Sequence, residues 1–181
     1  DCLYLNVWTP VNAQGLPVMV WFHGGTHLSG QGHSLIFDGT SLAQRGVLVI
    51  TVNYRLGPFG FLAHPVLSEA AQSGASGNYG LMDKVAALSW IRDNVHSLGG
   101  NPENVTVFGQ SAGSQSICSL LTSPYGKGLF HKAIGQSASC VTPASTEDAN
   151  GHERGIALVE ELGLDSLQEL RSADADALIS A

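Results

Sequence analysis

No run in this chain approaches the roughly 20 consecutive apolar residues of a membrane-spanning helix, so no segment reads as one. Charge is also scarce, at 13% Asp, Glu, Lys and Arg together, and the 8 bases are outnumbered by 15 acids. There is no basic patch to attract nucleic acid or an anionic membrane surface. Cysteine is rare. Cys2, Cys118 and Cys140 make an odd count, which leaves at least one without a partner inside the chain, and no disulfide within the chain is favoured. The first residue is Asp1 rather than Met, and no signal peptide can be read. Because the chain reads as beginning inside an element, that absence says nothing about export.

What is present is a globular composition. Apolar residues make up 44% of 181 residues, enough for one core but small for two domains. The 22 glycines point to many tight turns. Residues 1–140 carry six acids and six bases, so the whole net charge of −7 lies in 141–181, which reads as a solvated helical surface.

Leu3 to Trp8 alternates and is β-prone, Pro17 to Phe22 is a short apolar run, and Val47 to Val52 is a continuous β-branched run suited to a strand buried on both faces. Gly80 to Leu98 has helical spacing, with Leu81, Val85, Leu88 and Val95 on one face. Gly99-Gly100 stops that helix and Pro102 bars its continuation. Asn104–Phe108 reads as a strand, Ser111–Leu121 as a helix and Lys132–Gln136 as another strand. Helical segments follow at His152–Leu162, Ser166–Arg171 and Ala173–Ser180. Strands separated by helices predict βαβ units and an α/β architecture with a mostly parallel sheet and flanking helices. The loosest stretch is Cys140–Gly151, but no linker stands out, and a single domain over 1–181 is expected.

Gly109-Gln110-Ser111-Ala112-Gly113 matches G-x-S-x-G. The pattern alone is weak. Its setting, directly after one strand and directly before a helix, is the one in which such a serine sits on a strained nucleophile elbow. Glycines on both sides leave room for neighbouring backbone, and the helix start favours developing negative charge. The plainer alternative makes Ser111 an N-cap flanked by ordinary turn glycines. His23-Gly24-Gly25-Thr26-His27 follows a strand, where hydrolases with this elbow place an HGGG-type loop that donates backbone N–H groups to an oxyanion. A metal pair at His23 and His27 is a poorer reading, because two glycines separate them and no Glu follows His23. The loop also lacks the Lys of a phosphate-binding loop.

These features sit inside a wider likeness. DCLYLNVWTP (1–10), PVMVWFHGG (17–25), VNYRLGPFGFL (52–62), GNYGLMDKVAALSWIRDNV (77–95), GGNPENVTVFGQSAG (99–113) and KGLFHKAIGQSAS (127–139) resemble, in order, blocks of the type B carboxylesterase family, which includes cholinesterase-like proteins. The resemblance implies a partial α/β-hydrolase fold, cut at both ends. It implies Ser111 as nucleophile, Gly25, Thr26 and Ala112 as oxyanion-hole donors, and Gly24, His27 and Gln110 against the substrate. It also implies that Cys2 pairs with a cysteine further upstream, which favours a secreted or periplasmic protein. The implied substrate is a small-molecule ester. Neither a metal nor an organic cofactor is implied, and oligomeric state is left open.

Three positions depart from the family. Thr26 stands where a third glycine is usual, and His27 where an aromatic is frequent. If position 26 needs φ > 0, a β-branched residue distorts the hole. If it does not, Thr26 and His27 narrow the acyl side. Gln110 stands where many members carry Glu, which disfavours a choline-ester specialist. Of the histidines after Ser111, His131 falls in a block where its counterpart is not catalytic. His152, with Glu147 and Asp148 before it, formally satisfies the Ser–acid–His order but falls outside the expected strands. His33, His64 and His96 read as loop or helix-surface residues. The acid and base are therefore expected downstream of Ala181, and the chain alone is expected to be inactive. A non-catalytic cholinesterase-like binding or adhesion protein is the rival reading.

Overall fold

A computed structural model describes residues 3–141 and 151–181. Cys2, Glu147, Asp148 and nearly all of the loose Cys140–Gly151 stretch therefore lie outside the described residues. The elements in chain order are β1 (Leu5–Trp8), β2 (Leu16–Phe22), α1 (Thr40–Ala43), β3 (Leu48–Val52), α2 (Gly57–Phe61), α3 (Pro65–Ala70) and α4 (Tyr79–Asn94). They continue with β4 (Gly100–Gln110), α5 (Ala112–Thr122), β5 (Lys132–Gln136), α6 (His152–Glu161), α7 (Leu167–Ser172) and α8 (Ala175–Ser180). The expected strands and long helices are present. The short helices α1, α2 and α3 were not foreseen.

The chain divides into two compact units, residues 1–54 with 81–141 and residues 55–80 with 142–181. The first is built on one sheet in the order β1-β3-β2-β4-β5. Strands β3, β2, β4 and β5 run parallel, and only β1 is antiparallel, pairing Leu5 with Val52 and Trp8 with Val49. Register explains the core. Leu48, Val18 and Val105 form one lateral row, and Ile50, Val20 and Val107 form the next. All six are fully buried, and they cluster with Leu88, Ile91 and Val95, and with Ile117 and Leu120 of α5. Each such side chain contributes about 1.5–3 kcal/mol by leaving water. The whole of β3 is buried, as its unbroken β-branched run requires. A 3-10 turn over Val95–Leu98 continues α4, and Gly99 ends it in the left-handed region at φ 86°.

In the second unit, short helices rest on side-chain caps. His64 Nδ1 accepts from Val66 N–H at 3.2 Å, Ser166 Oγ from Glu169 N–H at 3.2 Å, and Asp174 Oδ2 from Ala177 N–H at 3.1 Å. Val159, Leu170 and Leu178 form its small core. A cap adds about 1 kcal/mol, which matters for six-residue helices too short to persist alone.

One pairing departs from the sequence reading. Cys118 of α5 and Cys140, just past β5, form a disulfide with Cα atoms 5.3 Å apart. Spacing along the chain gave no reason to favour that pair. The parallel β4–α5–β5 crossover brings the two together.

Candidate active site

Parallel pairing of β2 with β4 sets Phe22 beside Gly109. The turns that leave these two strands are therefore neighbours. A Cβ added to Gly24 would lie 2.9 Å from the Gln110 carbonyl oxygen and 3.1 Å from Ser111 Cβ. The HGG turn and the G-x-S-x-G turn thus touch directly, and Gly24 is glycine because the second turn occupies its side-chain space.

Ser111 stands at the N-cap position of α5 with φ 53° and ψ −121°, and its hydroxyl makes no capping hydrogen bond. Ser111 thus holds the N-cap position without capping the helix through its side chain. A non-glycine residue in this region stores about 1–3 kcal/mol of strain. What holds it is visible in the surroundings. Ser111 N–H donates to the Gln136 carbonyl of β5 at 2.9 Å, and Gln115 N–H donates to the Ser111 carbonyl at 3.0 Å. A Cβ on Gly113 would run into the Phe22 carbonyl, and one on Gly109 would lie 2.8 Å from it.

On the other side, Gly25 (φ 113°), Thr26 (φ 54°) and His27 (φ 62°) form a run of left-handed residues. The question left open for position 26 is answered in part: the backbone does take the glycine-favoured conformation, with a threonine in it. Two groups tie the run down. The Gly25 carbonyl accepts from Thr26 Oγ1 at 2.8 Å, Leu28 N–H at 2.9 Å and Ser29 N–H at 3.0 Å. The His27 ring reaches α5, with Nε2 3.2 Å from Ser116 Oγ and a hydrogen bond to the Ala112 carbonyl. Among the described residues, neither Gly25 nor Thr26 N–H is bonded to another backbone carbonyl. At the first turn of α5 the N–H groups lack intrahelical partners by construction. The Gln110 side chain is exposed, yet its Oε1 lies against Gly24.

Electrostatics keep the turn neutral. Burial, reinforced by the charge of Lys84, pushes the His27 pKa down to about 4. Burial also lowers that of His23, against the hydrogen bond from its ring to the Gly24 carbonyl. The source of that charge is a residue counted in the sequence only among the bases. Lys84 is fully buried, and burial pushes its pKa down to about 6. The signal was available, since Lys84 precedes Leu88 by one helical turn on the apolar face of α4.

The remaining histidines are placed elsewhere, His96 exposed on the 3-10 turn after α4. His131 Nδ1 accepts from Val105 N–H at 3.2 Å, His152 Nε2 lies 3.1 Å from Ser68 Oγ, His33 Nδ1 lies 2.8 Å from the Tyr4 hydroxyl, and His64 caps α3.

Comparison with known proteins gives a consistent result. A model of the Carboxylesterase family matches residues 1–181. The fumonisin B1 esterase of Sphingopyxis macrogoltabida is 48% identical over 183 residues, covering 98% of this chain and 32% of that protein. The para-nitrobenzyl esterase of Bacillus subtilis is 45% identical over 185 residues, covering 100% of this chain and 36% of that protein. A solved PNB esterase structure superposes with TM-score 0.86 at 45% identity over 99% of this chain and 38% of the other. A Geobacillus stearothermophilus carboxylesterase does so with TM-score 0.90 at 39% identity, again over 99% and 38%. The chain thus spans about a third of the length of the relatives it matches.

Proposed function

This chain belongs to the carboxylesterase family, and from that premise we propose that it supplies the nucleophile and oxyanion hole of a serine ester hydrolase. The observation that carries the reading is Ser111: strained, uncapped, at the tip of β4 and in contact with the glycine turn that leaves β2. Ser111 Oγ attacks the ester carbonyl carbon while a base removes its proton. The tetrahedral oxyanion accepts hydrogen bonds from Gly25, Thr26 and Ala112 N–H, aided by the positive end of α5. Collapse expels the alcohol and leaves an acyl-serine, which water then cleaves. Among the described residues none of the histidine hydrogen bonds given above goes to Ser111, so this reading assigns the base to another residue. Gly24, His27 and Gln110 line the approach to the serine. A neutral Gln110 puts no negative charge there, which favours small uncharged esters over cationic ones.

The test is a chimera in which residues 1–181 replace the matching third of the para-nitrobenzyl esterase. It should hydrolyse a nitrophenyl ester, and Ser111→Ala should reduce kcat by about 10³-fold or more. The 181-residue chain alone should turn over no faster than its own Ser111→Ala variant. A folded chimera with no turnover would favour a binding protein on this fold.

A further inference from the structure

Beneath the glycine turn lies a group that this reaction does not use. Lys84 is 0% exposed, and its Nζ lies 3.0 Å from the centroid of the Tyr54 ring. Tyr54 in turn grips His23 twice. Its hydroxyl donates to the His23 carbonyl at 2.7 Å, and its ring stacks on the imidazole with centroids 4.4 Å apart and planes at 15°. His23 opens the turn, and its Nδ1 lies 2.8 Å from the Gly24 carbonyl. Gly30 closes over the same ring so tightly that a Cβ there would collide with Nδ1. A continuous path of contacts therefore runs from Lys84 through Tyr54 and His23 to Gly24–Thr26.

An apolar side chain of the same length would fill this space without desolvating an amine, and burying an amine is costly. We propose that Lys84 is a positioning residue for the oxyanion-binding turn, acting through the Tyr54 ring and the His23 carbonyl. This rests on the assignment of Gly25 and Thr26 as donors. The titratable groups that face it are Asp83 on its own helix, Tyr54 after β3, and His23 and His27 on the turn after β2. Burial disfavours the charged amine and Asp83 opposes that effect; the Lys84 charge in turn disfavours protonation of both histidines. Burial favours the neutral amine and pushes its pKa down to about 6, while the face of the Tyr54 ring favours the charged form. The turn should therefore respond to the Lys84 proton as well as to its own histidines, both of whose pKa values burial lowers.

The experiment is an NMR titration of the labelled 181-residue chain, following the Lys84 side chain and the amides of Gly24, Gly25 and Thr26. All should move with one midpoint near pH 6. Lys84→Met should remove that midpoint from the amides, with Lys84→Gln as the alternative if the Met variant does not fold. Tyr54→Phe keeps the ring but loses the hydroxyl, and should keep the Lys84 midpoint while at least halving the amide response. In the chimera, Lys84→Met should lower kcat by about tenfold with KM changed less than about threefold, the split expected when an interaction made only in the transition state is weakened. Amides silent at the Lys84 midpoint, or equally responsive in Lys84→Met, overturn the proposal. Coupled amides in a chimera without turnover would support the Lys84 path and sink the ester-hydrolase reading instead.

Discussion

The two turns that meet at the candidate site solve the same problem differently. Both leave the ends of adjacent parallel strands, and both hold non-glycine residues at positive φ. At the elbow, strain falls on one residue, Ser111, and its neighbours Gly109 and Gly113 are small because β2 backbone occupies the space a side chain would need. At the turn after β2, strain falls on Thr26 and His27, and hydrogen bonds from their own side chains hold it. The elbow is thus fixed by excluded volume. The glycine turn is crowded at Gly24 and Gly25 as well, but its Thr26 and His27 side chains add polar contacts that a substitution can remove without a clash. The elbow also has a covalent staple, because Cys118 lies on the helix that follows Ser111.

At the elbow, Gly113→Ala should be the most damaging small change. Its Cβ meets the Phe22 carbonyl, which cannot swing aside as a side chain could. A loss of about 3 kcal/mol or more is expected in chemical denaturation, and a tolerated alanine would break the contrast at its strongest point. Next comes Cys118→Ser. Opening a loop with a sequence separation of 22 should cost about 3 kcal/mol in the same assay, and reduction of the wild-type chain should reproduce most of it. Thr26→Gly should have the smallest effect. Relief of about 1–2 kcal/mol of left-handed strain is offset by the lost Oγ1 bond and by glycine's freedom in the unfolded chain. Stability should change by no more than about 1 kcal/mol. Turnover of the chimera should rise, by up to about fivefold if 1 kcal/mol of strain is relieved at the donor. A fall in rate would mean that the Thr26 hydroxyl contributes to the site.

Most of this was legible from residues. The run LVITV marked a strand buried on both faces, Gly99-Gly100 marked a helix end, and β5 lies where KAIGQ placed it. The elbow was readable because strand, glycine spacing and helix all agree there. What escaped depends on tertiary proximity or on weak local signals. Helices α1 and α2 have only four and five residues, too few for periodicity to register, and α3 has six. The Cys118–Cys140 bond depends on a crossover that brings two distant segments together. The backbone conformation at Thr26 was posed as a choice, because a β-branched residue argues against the conformation that its neighbours impose. Lys84 was masked by its charge: helical spacing put it on the buried face of α4, while its residue type argued for solvent.

The most direct test of the central claim is a crystal structure of the chimera after reaction with an aryl phosphonate, whose phosphoryl oxygen stands in for the oxyanion. The account predicts a covalent bond to Ser111 Oγ, with that oxygen about 2.7–3.1 Å from the backbone nitrogens of Gly25, Thr26 and Ala112. An adduct on another residue, or one on Ser111 whose phosphoryl oxygen points away from all three, would contradict it.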